Sequence, residues 1–269
     1  MKIIITGTNG FVGSHLISFF SIMDIDFIII SSQNKIVKDF SYDAFFNDEI
    51  CCDNVIAFIH LAGAAHQNFT DKEAKELNFD LTKKIIDKCV DYKIPKFIFL
   101  STVNVYKGYQ CVINLSSQIS KGLRNTASTK LLAENYIRLK SSEGLIESVI
   151  IRSPLVYGEG VKANFSNLFN FIGKCYPLPF GLIVNNKQSL ISVYNLVDLI
   201  YVCVVNPKSK NQIFLVSDDD DLSTTKMVRL IAKVQGVKPW LLPVPVWLLK
   251  LTGKLTGKSN MISRLTDSF

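Results

Sequence analysis

Three glycines, Gly7, Gly10 and Gly13, stand between the apolar run KIIIT (2–6) and a second apolar stretch starting at Phe11. At that spacing Gly7 permits a tight turn, Gly10 lets the backbone approach a pyrophosphate, and Gly13 lets a helix pack closely on the strand. The helix N-terminus then faces the anion. A second constellation is NTASTK (125–130), in which Thr126 and Lys130 lie four residues apart ahead of the apolar run LLAEN. On a helix that spacing puts a hydroxyl and an ammonium on one face, within reach of one reacting centre. A third hydroxyl, Thr102, follows the apolar run KFIFL at the start of STVNVY (101–106).

These residues need a scaffold, and the hydrophobic pattern supplies one. KIIIT, FIIIS (27–31), VIAFIHLAG (55–63), KFIFLST (96–102) and ESVIIRS (147–153) read as strands. Between them, 12–20, 71–91 and 127–140 read as helices, the second with Leu77, Leu81, Ile85 and Ile86 on one face. Continuous apolar strands alternating with helices predict an α/β fold, a Rossmann-like doubly wound parallel sheet covered on both faces. Residues 32–54 are short and polar, so a strand–helix pair is expected to be eroded there. After Pro154 glycines and prolines break the chain into short elements. The expected division is a dinucleotide-binding domain at 1–155 and a smaller substrate lobe at 156–269, intertwined with it. Within that lobe 190–205 reads as a strand plus a helix, and 223–236 as a helix capped by Ser223 and ended by Gly236.

Strand ends also bear on the cofactor. An acid after the second strand would accept hydrogen bonds from the ribose 2′-hydroxyl of NAD. Here the chain runs Ile30-Ser31-Ser32-Gln33-Asn34-Lys35, with hydroxyls and a lysine that suit a 2′-phosphate, so NADP is favoured over NAD.

Composition narrows the partners. With 48% hydrophobic and 20% charged residues the chain is expected to be globular, and the net charge of +7 suits phosphates. The cations are scattered and no nucleic-acid motif is present, so no nucleic-acid partner is expected. The cysteines lack metal-binding spacing, and no metal site is expected. The first residues read as a strand instead of a leader, and no run reaches membrane-spanning length, so a cytoplasmic location without an integral membrane segment is expected. The oily stretch WLLPVPVWLL (240–249), interrupted by Pro243 and Pro245, reads as packing of the smaller lobe, with peripheral membrane contact as the minority reading.

TGTNGFVGSHL (6–16), HLAG (60–63), STVNVY, Lys130 with LLAEN, and IIRSPLVYGEG (151–160) together resemble an extended short-chain dehydrogenase/reductase over nearly the whole chain. GVKANF (160–165), PLPFG (177–181), SLISVYNLVDLI (189–200) and NQIFLVSDDDDLST (211–224) are similar to a bacterial subgroup of nucleotide-sugar 4-epimerases and 4-keto-reductases of surface-polysaccharide synthesis. The resemblance implies a cofactor site of Gly7, Asn9, Gly10, Phe11, Val12, Gly13, Ser31, Lys35, Leu61, Ala62, Gly63, Lys130 and Pro154. It implies that His66, Asn104, Asn164, Phe165, Lys187 and Gln188 contact a UDP-hexosamine-type sugar nucleotide. Thr102 would bond the sugar's C4 oxygen, and Lys130 the nicotinamide ribose. A homodimer through a helix pair is common in the family, and nothing in the residues decides it.

Three departures stand out. Thr126 occupies the position of the family's catalytic tyrosine, Gln188 that of an arginine that clamps phosphates, and the chain stops at SRLTDSF, short of a C-terminal strand and helix. Tyr106 and Tyr109, on the segment after Thr102, are candidates to replace the phenol. Two readings stay open: an active oxidoreductase or epimerase with Thr102, Thr126 and Lys130 in its catalytic site, or an impaired relative that binds dinucleotide in a regulatory role or none.

Overall fold

The computed structural model describes residues 1–32, 39–64, 69–106, 113–119, 125–161 and 164–268. In chain order the strands are β1 (Lys2–Thr6), β2 (Asp26–Ser31), β3 (Asp39–Ser41), β4 (Val55–His60), β5 (Lys96–Thr102), β6 (Glu147–Ser153), β7 (Leu155–Tyr157), β8 (Leu190–Ser192) and β9 (Gln212–Leu215). The helices are α1 (Phe11–Ile22), α2 (Tyr42–Phe46), α3 (Asp71–Lys75), α4 (Leu81–Asp91), α5 (Asn125–Ser142), α6 (Asn164–Gly173), α7 (Val193–Val205), α8 (Thr224–Val234), α9 (Val246–Leu255) and α10 (Ser259–Thr266).

Seven strands form one sheet in the order β3-β2-β1-β4-β5-β6-β9, with every neighbouring pair parallel. The order reverses between β1 and β4, which places the carboxyl ends of those two strands at the topological switch point. As expected, the described residues between β2 and β4 hold three residues of strand and five of helix. Two compact units result. The first comprises Met1–Lys107, Asn114–Pro154 and Ser192–Val216; the second comprises Gly108–Ile113, Leu155–Ile191 and Ser217–Phe269. In the first, Ile4, Ile30, Phe58, Phe97 and Phe99 bury one sheet face against Ile85, Ile86 and Ile137 of the helices. In the second, Ile172, Leu178, Val228, Ile231 and Leu249 form a separate core.

One helix departs from the sequence pattern. The stretch 71–91, read as continuous, is broken by a π-helical turn at Glu76–Asp80 between α3 and α4. The wider turn shifts the inward face by a residue. Leu77, expected inside, is exposed, while Asn78 is fully buried in its place. Elsewhere the capping chemistry reads through: the Ser223 hydroxyl accepts from Lys226 N–H, and Gly236 takes φ +68° after α8.

The longest helix, α5, is fastened to the sheet by charge as well as by apolar contact. Glu134 and Arg152 form a buried ion pair at 2.5 Å. Ser101 on β5 donates to Glu134 at 2.5 Å, and Arg152 on β6 also bonds the phenol of the fully buried Tyr106. Removing one partner of such a pair strands the other charge without water, a loss of about 3–5 kcal/mol. Glu134→Leu and Arg152→Met are each expected to lower the urea-unfolding free energy by about that amount.

Candidate functional site

Residues 6–13 form a turn that only glycine can build. Gly7 sits at φ +77°. A Cβ there would lie 2.6 Å from the Leu61 carbonyl carbon and 2.8 Å from Ala62 Cα, so the backbone after β4 rests directly on it. A Cβ at Gly13 would lie 2.6 Å from Thr8 Cα, so the loop folds back against the first turn of α1. Gly10 precedes that helix and donates its own N–H to Gly7 O at 3.0 Å. No side chain caps α1, and no acid stands in its first turn. Its leading N–H groups and the positive end of its dipole are therefore available to an anion. Asn9 is exposed beside them, and Phe11 and Val12 are half-buried. Ser31 is buried at the end of β2; Lys35 and His66 lie outside the described residues.

Lys130 approaches the same loop from α5. A Cβ at Gly63 would come within 2.6 Å of Asn78 Oδ1 and 2.9 Å of Lys130 Nζ, so the glycine lets both side chains close over this turn. The ammonium donates to Leu100 O at 3.1 Å and sits 4.4 Å from the centre of the Phe99 ring. Burial pushes its pKa from 10.5 down to about 8, while the Glu134 carboxylate one turn along acts in the opposite direction. Asn78, delivered by the π-helical turn, holds the loop in place. Its Oδ1 accepts from Ala64 N–H at 2.8 Å and its Nδ2 donates to Thr129 at 3.0 Å. An asparagine inside an otherwise apolar helical stripe was the available signal for it. His60 is fully buried between the hydroxyls of Thr6, at 2.6 Å, and Thr82, at 2.9 Å, and burial keeps its pKa well below the ordinary value. Its position is that of a neutral packing group.

Thr102, at the end of β5, accepts from both the backbone N–H of Asn104 at 3.1 Å and its side-chain amide at 2.8 Å. With its oxygen so occupied, its own proton is left to donate. Thr126 is half-buried one turn before Lys130 and accepts from Thr129 through its carbonyl. Tyr106 does not replace the missing phenol: it is fully buried, with its hydroxyl on Arg152. Tyr109 lies outside the described residues. Pro154 follows β6 and accepts from Ser153.

Within the second unit, Gln188 is engaged elsewhere than expected. Its Nε2 donates to Arg264 O at 3.1 Å and to Asp267 O at 2.7 Å, tying down the end of α10. Lys187 donates its backbone N–H to Ser268, and Phe165 packs on the unit's core. Asn164 opens α6, and its side chain lies outside the described residues.

The family model described as NAD dependent epimerase/dehydratase matches residues 3–216, most of the chain. The chain belongs to that family. It is an extended short-chain dehydrogenase/reductase. It is 37% identical to a UDP-glucose 4-epimerase of Vibrio cholerae over 99% of this chain and 86% of that protein. Among solved structures it resembles a UDP-N-acetylglucosamine 4-epimerase from Bacillus cereus, with a TM-score of 0.79 and 19% identity over 90% of this chain and 84% of that one. MoeE5 in complex with UDP-glucuronic acid and NAD has a TM-score of 0.77 at 18% identity, covering 90% of this chain and 85% of that one. At these identities the structural likeness shows the fold alone.

The described residues fit the family's nicotinamide dinucleotide. The glycine turn leaves room where any Cβ would intrude, the uncapped N-terminus of α1 would receive a diphosphate, and Lys130 stands at the adjoining strand end. Since its pKa lies below 10.5, keeping Lys130 charged costs stability below about pH 8, and the cost is relieved as the pH rises towards 10.5. Binding runs the other way. NADH affinity, followed by fluorescence, is expected to hold below about pH 8 and to fall above it as the ammonium is lost. Lys130→Met should weaken binding and flatten that profile.

Proposed function

We propose that the chain is a nucleotide-sugar 4-epimerase or 4-keto-reductase of the UDP-hexosamine type, serving surface-polysaccharide (O-antigen or capsule) synthesis. The observation that carries this reading is the approach of the Lys130 ammonium to the Gly63 turn, one helical turn after position 126 on α5. Relatives named as UDP-sugar 4-epimerases supply the substrate class. Bound nicotinamide would supply hydride exchange at the sugar carbon. The chain's own work is positional: the α1 N-terminus takes the diphosphate, Lys130 the ribose hydroxyls, and Thr102 donates to the C4 oxygen. His66, Asn104, Asn164, Phe165 and Lys187 are the proposed sugar-nucleotide contacts. Gln188, already engaged with α10, would act there chiefly by keeping that helix in place. Hydroxyl residues and no acid at the end of β2 favour NADP; the solved complex above contains NAD.

A second reading rests on Thr126. An aliphatic hydroxyl is a far weaker acid than a phenol, whose unperturbed pKa is about 10, and it is shorter. With Tyr106 bound to Arg152, proton transfer at C4 is the weakest function of this site. That favours a dinucleotide-binding protein with little turnover.

The test follows NADPH absorbance with a UDP-4-keto-6-deoxy-hexosamine, for wild type and Thr126→Tyr side by side. Restoring a positioned acid is worth about 10²–10⁴-fold, so Thr126→Tyr is expected to be faster by an amount in that range. If neither protein turns over although both bind NADPH, the binding-only reading replaces the enzymatic one. Incubation with UDP-glucose and NAD separates epimerase from reductase.

A further inference from the structure

The stretch 240–249, oily in sequence, resolves into the start of α9 and the loop before it. Helix α9 turns one face inward: Leu249 and Gly253 are buried, and Val246 packs with Ile262 and Leu265 of α10 on the second unit's core. The fit is close, for a Cβ at Gly253 would lie 2.8 Å from Ile262 Cγ1. The opposite face would be polar in an ordinary surface helix. Here it carries Trp247, Leu248, Leu251 and Leu255, exposed by 67%, 36%, 46% and 79%. At about 100° per residue these four fall within an arc of about 100°, centred opposite the buried side.

Charge in the sequence around this apolar strip is predominantly positive. From Lys238 to Thr266 the sequence holds Lys238, Lys250, Lys254, Lys258 and Arg264 and no carboxylate. Lys250 pairs with Asp267 at 3.0 Å, whereas Lys254 and Lys258 make no salt bridge to a described residue. By helical position Lys254, and beyond it Lys250, lie along one edge of the strip. Their aliphatic stems can lie along an apolar phase while the ammonium groups reach phosphate. Tryptophan and leucine on one side with lysines beside them is the pattern of a helix lying in a lipid interface. At ten residues α9 is about 15 Å long and cannot span a bilayer. No described helix is long and apolar enough to cross a membrane.

We propose that the outer face of α9 docks in the plane of an anionic phospholipid surface. Trp247, Leu251 and Leu255 enter the headgroup boundary, and Lys254 and Lys258 meet lipid phosphates. Two matched features select lipid over a protein groove: the strip is apolar without interruption, and the charges near it are predominantly basic, the one nearby carboxylate, Asp267, being paired with Lys250.

The test is co-sedimentation of the full chain with vesicles of phosphatidylcholine alone and of phosphatidylcholine with phosphatidylglycerol, alongside tryptophan fluorescence. The expected result is binding to the anionic vesicles only, with a blue shift of the emission and loss of binding at high salt. Trp247→Ser with Leu251→Ser should weaken it at least about tenfold, and Lys254→Glu with Lys258→Glu by a similar factor. These side chains are exposed, so circular dichroism of both variants should match wild type. Equal partition onto neutral vesicles, no partition at all, or undiminished binding by the variants would overturn the proposal. So would a dimer in sedimentation that the first variant makes monomeric without any lipid binding, which would assign the face to a second copy of the chain.

Discussion

The Glu134–Arg152 ion pair sits where β5, β6 and α5 meet, and the geometry of the chemistry-bearing helix follows from it. Ser101, Tyr106 and Arg152 all spend polar atoms on this cluster: Ser101 and Arg152 bond the Glu134 carboxylate, and Tyr106, at the end of the 3₁₀ turn Val103–Tyr106, bonds Arg152, so two strands and that turn converge on one ion pair. Lys130 is one turn away on the same helix. Its ammonium reaches Leu100 O and the Gly63 turn because α5 can neither slide nor roll without leaving a charge in the core. The Tyr106 phenol belongs to this fastening, which removes it from the pool of proton donors.

Binding and proton transfer are thus separable in this chain. The parts proposed to recognise a dinucleotide are mostly backbone features, glycines with no room for Cβ and an uncapped helix, joined by one side chain, the lysine beside Gly63. The part proposed to move a proton is one side chain, and at position 126 it is a threonine. A substitution there leaves every backbone device untouched, so a fold built for hydride chemistry can keep its cofactor geometry while its acid–base function changes. The depressed pKa of Lys130 arises from burial, independently of any neighbouring phenol.

Much of this was legible in the sequence because periodicity reports burial. The β-branched runs gave the parallel strands, and the glycine spacing located the turn between β1 and α1. What pattern could not show was register inside a helix. Leu77 fits a heptad-like stripe, yet the π-helical turn sends it to solvent and brings Asn78 inside, because a buried loop N–H at Ala64 needs an acceptor. Nor does spacing show which partner a polar residue will choose. Gln188 stands at a phosphate-clamp position of the resemblance, and in the fold it bonds the carbonyls at the end of α10. Tyr106 could be read as available only until its burial was known.

The last strand of the seven-stranded sheet is β9, contributed by Gln212–Leu215 after the chain has already built much of its second unit. During synthesis from the N-terminus, β6 leaves the ribosome as an open edge whose residues from Ser148 to Ser153 are all destined for burial. Close to sixty residues must follow before its partner appears, during which an unpaired apolar edge is open to mispairing or to a chaperone. The cofactor half is therefore not a module that can be cut off after β6 and expressed alone. Its hydrophobic sheet is closed by a segment encoded far downstream, after Leu155–Ile191 of the second unit has been made.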